Sequence, residues 1–273
     1  MTALLLTSAS AYAVPLGYSG GVYTQNFNGL PTNVTNPSQV ITGKGPHEFT
    51  AVTGASGLTG WQFGNLAGSS PDTEFRSQNG SLGGSAGRGT ISYGLNADTD
   101  RALGLLPTSN QLATFGLVLK NEGASTLTSF TLNFVGEQWR RGNVTTPNKL
   151  SFEYQVGASA INSGGSWTAV PALNFVSPVM TGPTEVALNG NLAANQTPLG
   201  ATVSGFNWLP GSTLVLRWTI DDLTGQDNGL AIDNLTFAVP EPSTFVLAAV
   251  GLVAASGLAW RRRNPRREAR HVR

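Results

Sequence analysis

The stretch TSFTLNFVGEQWRRG, residues 128–142, alternates apolar and polar side chains. Phe130, Leu132 and Phe134 fall on one side, Thr131 and Asn133 on the other. A period of two with one apolar face marks a half-buried antiparallel strand. Continuing the phase, Gly136 and Gln138 point inward while Glu137 and Trp139 point outward. The same rhythm returns twice. Leu150, Phe152, Tyr154 and Val156 alternate with Ser151, Glu153 and Gln155, and Leu214, Leu216, Trp218 and Ile220 alternate with Val215, Arg217 and Thr219.

Working outward, further strands are expected over 21–29, 60–66, 89–95, 113–120, 167–176, 184–188, 201–208 and 229–239, separated by clusters of Gly, Pro and Asn. No window before residue 243 reads as an amphipathic helix. About ten or eleven strands without an internal linker predict an all-β chain folded as one antiparallel β-sandwich, with a jelly roll the natural choice. The segment 64–89, rich in Gly and Ser, reads as a long surface loop.

Composition agrees. Only 11% of the 273 residues are charged, whereas Gly contributes 34, a profile of many turns and few surface helices. Cysteine is absent, which excludes disulfides, thiolate metal sites and cysteine nucleophiles. Residues 1–239 hold 9 Lys and Arg against 13 Asp and Glu, a net charge of −4, while the last 13 residues carry seven Arg and one Glu. The body therefore offers no basic face for nucleic acid.

The two ends have their own character. At the start, Leu4–Leu6 form a short apolar core and Ala11-Tyr12-Ala13 a small-x-small cleavage site. Residues 1–13 read as the back half of a secretory signal peptide, with Val14 beginning the mature chain. The basic n-region is missing, so the true start is expected upstream. Near the other end, residues 243–260 run 18 residues without a charge, roughly 27 Å as a helix and enough for a bilayer core. Arg261, Arg262 and Arg263 follow and keep that end, with the basic tail 264–273, cytoplasmic. Pro240 and Pro242 flank Glu241 and hold the segment before the helix extended, the shape in which proteases and transpeptidases accept substrates.

The order of Pro240-Glu241-Pro242, apolar helix and Arg261–Arg263 resembles the PEP-CTERM sorting signal. That resemblance implies export by a Gram-negative bacterium, a transient stay in the inner membrane, and processing by an exosortase over residues 240–263. Release to the cell surface or to an exopolysaccharide matrix would follow. In the body, residues 14–239, QNFNGLP (25–31), TSFTLNFVGEQWRRG and GLAIDNLTF (229–237) resemble a recurrent module of secreted bacterial proteins, and MAM-type and carbohydrate-binding jelly rolls.

Two clusters invite chemistry. TIDDLTGQDNGLAID (219–233) holds Asp221, Asp222, Asp227 and Asp233. Four carboxylates supply hard oxygen ligands of the kind Ca²⁺ takes, and the resemblance to jelly rolls implies a structural calcium near the termini, with Asn26 and Asn28 as further contributors. Asp, Asn and Gly are equally good turn formers, and Asp227-Asn228-Gly229 reads as a hairpin turn. In GEQWRRG, an outward Trp139 beside Glu137, Arg140 and Arg141 would stack on a sugar ring or clamp an acidic polysaccharide. The competing expectation is that Trp139 packs under a loop and Glu137 pairs with an arginine.

Catalysis finds little support. His47 is the only histidine of the body, and no G-x-S-x-G elbow, zinc-type histidine set or phosphate loop occurs. Glu48, Glu74, Glu137, Glu153 and Glu185 could supply a glycosidase pair, but any β-protein carries such a set. The expectation is a non-enzymatic surface or matrix protein needing no cofactor, structural or adhesive and able to bind glycan. A glycan-active extracellular hydrolase is the alternative.

Overall fold

A computed structural model of the chain describes residues 14–32 and 39–240. In chain order the strands are β1 (Leu16–Tyr18), β2 (Val22–Gln25), β3 (Gln39–Ile41), β4 (His47–Glu48), β5 (Trp61–Ala67) and β6 (Thr73–Gln78). There follow β7 (Gly89–Tyr93), β8 (Ala102–Leu106), β9 (Leu112–Asn121), β10 (Leu127–Arg141), β11 (Lys149–Val156) and β12 (Thr168–Ala169). The series closes with β13 (Phe175–Val176), β14 (Val186–Ala187), β15 (Gln196–Trp208), β16 (Thr213–Ile220) and β17 (Gly229–Ala238). Helix among the described residues is confined to one α-turn, Gly84–Gly87, and three 3₁₀ turns.

The strands form two sheets. In the first the order is β12-β11-β16-β9-β5-β4, with β13 beside β11 and β1 running parallel to β9. In the second it is β14-β10-β17-β8-β7-β6-β3, with β15 beside β10 and β2 beside β17. Apart from β1–β9 and β6–β7, neighbours are antiparallel. Residues up to Ala238 form one unit.

The core between the sheets follows the alternation. Phe134 of β10 meets Trp218 of β16 edge-on, centroids 5.7 Å apart, and Phe130 meets Tyr154 of β11 at 5.6 Å. Around Trp218 gather Trp61, Phe115 and Phe152 at 6.0, 5.5 and 4.9 Å. Each of these side chains is buried, and each contributes about 1.5–3 kcal/mol through lost water contact.

Two expectations need correction. Seventeen strands form among the described residues rather than ten or eleven, several only two or three residues long; 167–176, for instance, is broken by a 3₁₀ turn at Pro171–Leu173. The expected long loop 64–89 contains β6, whose Thr73 and Phe75 are wholly buried. Its charges conceal the strand: Glu74 is paired with both Arg76 and Arg88, which makes burial of a charged segment tolerable.

Among the described residues no helix is long and apolar enough to cross a membrane. The signal-peptide site Ala11 and Ala13, the apolar run 243–260, and Glu241, Pro242, Arg261, Arg262 and Arg263 all lie outside the described residues.

Candidate functional site

A cleft of about 880 Å³ opens at the β4 edge of the first sheet. One wall is the connection Thr42–Pro46 with β4, which pairs with β5 through His47↔Phe63 and Glu48↔Gln62. The other wall is Ser159–Gly164, from the loop after β11. That loop lies on the outer face of the first sheet, where Ala158 and Ile161 pack with Val118 and Val215. Gln62 accepts from the Ile161 amide at 3.1 Å, and Arg217 Nη1 donates to the Ile161 carbonyl at 2.6 Å. The Arg217 guanidinium lies 3.5 Å from the Trp167 ring centroid and is paired with Glu153, while Trp167 Nε1 donates to the Ser163 carbonyl at 3.2 Å. These contacts make Ser159–Gly164 a braced wall.

The lining mixes polar side chains, Lys44, His47, Glu48, Ser159, Asn162 and Ser163, with Pro46, Ala51 and Ala160. Asn162 Nδ2 donates to the Gly45 carbonyl at 3.2 Å and ties the two walls. His47 Nε2 lies 3.0 Å from the Gly43 carbonyl, its ring tilted against Phe63. Lys44 Nζ is engaged by the Gly68 carbonyl at 2.8 Å, and the hydroxyl and amide groups of Ser159, Asn162 and Ser163 are of the kind that orients a hydroxyl-rich ligand. Asn162 and Ser163 carried no signal in the sequence, because they meet His47 across more than a hundred residues.

The expected glycan contacts lie on the opposite side, on the outer face of the second sheet. The strand phase there is as read, but the exposure is not. Glu137, Trp139 and Arg140 are 1%, 0% and 3% exposed. Trp139 stacks on Tyr93 with centroids 6.0 Å apart and planes within 8°, in a satellite core with Ile91, Ala102, Leu106 and Ala231. The chain after β14 covers it: Leu188 donates its amide to the Trp139 carbonyl at 2.8 Å, and a Cβ on Gly190 would stand 2.3 Å from the indole. No ring face is left for a sugar. Arg140 donates instead to the carbonyls of Gly80 and Ser81 and to Gln226. Glu137 takes no arginine; it accepts from Trp139 Nε1 at 2.8 Å and from Gln196 Nε2 at 3.0 Å.

Burial pushes the Glu137 carboxyl up to about 7, against the lowering effect of those two hydrogen bonds, with Asp100 adding to the rise. Asp233, also covered, is pushed up to about 8, by burial first and then by Glu137 and Asp100. Its Oδ2 accepts from Asn234 Nδ2, whereas Oδ1 has no partner.

The four aspartates considered for calcium do not assemble. Asp233 belongs to the Glu137 side. Asp221 Oδ1 accepts from the Lys149 amide at 2.7 Å and from Asn148 Nδ2. Asp227 Oδ1 accepts from Asn148 Nδ2 at 2.7 Å and from the Leu223 amide at 3.0 Å. Burial, together with a hydrogen bond to Asp222, raises Asp227 well above the usual carboxylate range. Among the described residues no group of three or more His, Cys, Asp or Glu side chains is placed to hold a metal ion. Asp221 and Asp227 serve the loop, their Oδ1 atoms taken by backbone and amide donors.

Residues 238–263 match the PEP-CTERM protein-sorting motif. No curated protein matches the chain. Similar solved structures include TmCBM61 in complex with β-1,4-galactotriose, with 10% identity over 58% of this chain and 86% of that one and a TM-score of 0.29. Another is the K3 cleaved adhesin domain of Lys-gingipain from Porphyromonas gingivalis W83 (14% identity, 66% and 91% covered, TM-score 0.37). A third is the CBM35 from Cellvibrio japonicus Abf62 (12% identity, 50% and 74% covered, TM-score 0.24). Scores this low carry no argument about ligand or activity.

Proposed function

We propose that this is an exported bacterial surface or exopolysaccharide-matrix protein, sorted and cleaved by an exosortase at its C-terminal motif. The match at residues 238–263 is the observation that carries the reading. In it, residues 243–260 span the inner membrane, the arginines stay cytoplasmic, and Pro240-Glu241-Pro242 is presented for processing. The body is a jelly-roll module of the MAM or carbohydrate-binding kind, structural or adhesive rather than catalytic. Intact-mass measurement of the secreted protein, from cells with and without an exosortase, tests this. A chain ending near Pro240 only when the enzyme is present supports it; a mature C-terminus still at Arg273 overturns it.

The Lys44–Asn162 cleft is the place in the body where a short, hydroxyl-rich glycan would sit. The polar side chains within its lining and the bridge between its walls support this. A glycan array on residues 14–239, repeated with Asn162→Ala, tests it; loss of a signal in the variant without loss of folding is the expected result. A hydrolase is the weaker reading. Of the carboxyls raised toward neutrality, Glu137 and Asp233 are buried with no approach for a glycosidic bond, and Asp227 is taken up by Asn148 and the Leu223 amide. Turnover on a polysaccharide panel, abolished by Glu137→Gln, would reinstate it.

A further inference from the structure

The backbone nitrogen of Val14 donates to Oε1 of Glu48 at 2.7 Å. Val14 is also the residue that the Ala11-Tyr12-Ala13 pattern makes the first of the mature chain. We infer that Glu48 is the receptor for the new N-terminus: hydrolysis of the Ala13–Val14 bond converts this amide donor into an α-ammonium group, which the Glu48 carboxylate holds as an ion pair.

The chemistry balances with water alone. A water molecule adds across the amide, Ala13 leaves with the carboxylate, and the Val14 nitrogen takes the proton and becomes cationic. An endopeptidase of the export machinery that accepts small-x-small sites does the cutting. The bond exchanges a neutral donor for a charged one with three protons, and charge-assisted hydrogen bonds are roughly twice as strong as neutral ones.

The surroundings are built for a chain beginning here. Glu48 is fixed on β4, one residue from the cleft histidine, through its pairing with Gln62. Val14 and Glu48 line a cavity of about 300 Å³ with Thr50, Ser56 and Thr59. Two residues later the chain is locked into the first sheet: Leu16 pairs with Leu119, and a Cβ on Gly60 would stand 2.8 Å from the Leu16 nitrogen. Tyr18, the last residue of β1, is buried between Trp208 and Phe237. With β1 paired, only two residues beyond the scissile bond remain free, too few to lie extended in a peptidase. Cutting therefore precedes docking of β1, and the freed ammonium finds Glu48 as the sheet closes. None of this depends on the C-terminal motif.

The full-length chain, exported from a Gram-negative host and purified as wild type and as Glu48→Gln, tests the inference. N-terminal sequencing is expected to begin at Val14; any other start overturns it. Acylation of the α-amine at neutral pH is then timed. An exposed ion pair is expected to slow the wild type about 1.4- to 5-fold relative to Glu48→Gln. Raising the salt to about 1 M is expected to speed the wild type alone, because it screens the pair. Equal rates in both proteins, or a salt-independent wild-type rate, would overturn the capture. The salt series needs no variant, so it stands even if Glu48→Gln fails to fold.

Discussion

Trp139 and Glu137, two residues apart on the same face of β10, are joined by an Nε1–Oε2 hydrogen bond of 2.8 Å beneath a covering segment of the same chain. This places a carboxyl where ionisation is costly. Its value in the folded protein is about 7 instead of 4.5, and that of Asp233 is about 8 instead of 3.8. Both are raised, so in the unfolded chain they ionise first. The stability they contribute is complete below pH 4 and falls as pH rises through 7 to 8. Thermal melts of the body between pH 4 and 9 should show Tm declining across that window, with a loss of stability on the order of a few kcal/mol. Glu137→Gln should flatten the curve. A Tm that climbs toward pH 8 would contradict the burial of these groups.

Gly190 touches the other side of the indole. Gly190→Ala would place a carbon 2.3 Å from Trp139, inside any tolerable contact, so about 1–3 kcal/mol of stability should be lost. Tryptophan emission should shift red as the cover lifts. An unchanged melt with unchanged emission would mean that the segment does not seat there.

Much of this was legible in residues 128–142. The apolar alternation gave the strand, its inner face and even the outward direction of Trp139. Burial of that outward face was illegible, since it is created by residues 188–190 some fifty positions later. A glycine there signals nothing until its partner is known. β6 was hidden for a different reason. TEFRSQ reads as polar, and only the meeting of Glu74 with Arg88 across the β6–β7 pair makes it a buried strand. The cleft wall Ser159–Gly164 is likewise set by Arg217 and Gln62, neither of which is close in sequence.

That buried pairing yields its own expectation. Glu74→Gln strands Arg76 and Arg88 in partial burial. The loss should be about 3–5 kcal/mol, read as a lowered urea midpoint with an unchanged slope. Changing all three residues to apolar ones of similar size should recover most of it.

Asn148 is fully buried and serves three partners: Asp221, Asp227 and the Asn228 amide, which donates to its Oδ1 at 2.8 Å. Asn148→Ala should cost about 1–3 kcal/mol, because it leaves polar groups without partners. EDTA should leave the wild-type Tm where it is, since Asp221 and Asp227 are already engaged through Oδ1 by amide donors. A drop on chelation, restored by Ca²⁺, would return these residues to metal binding.

The strand β17 lies between β10 and β8, in the middle of its sheet, and ends at Ala238, where the sorting motif begins. A ribosome makes this strand after every other strand of the described residues. Until it arrives, β10 and β8 have no common neighbour and the second sheet is split in two. Closure of the second sheet is thereby tied to the arrival of this one strand, whereas the first sheet, which lacks β17, has all its members beforehand.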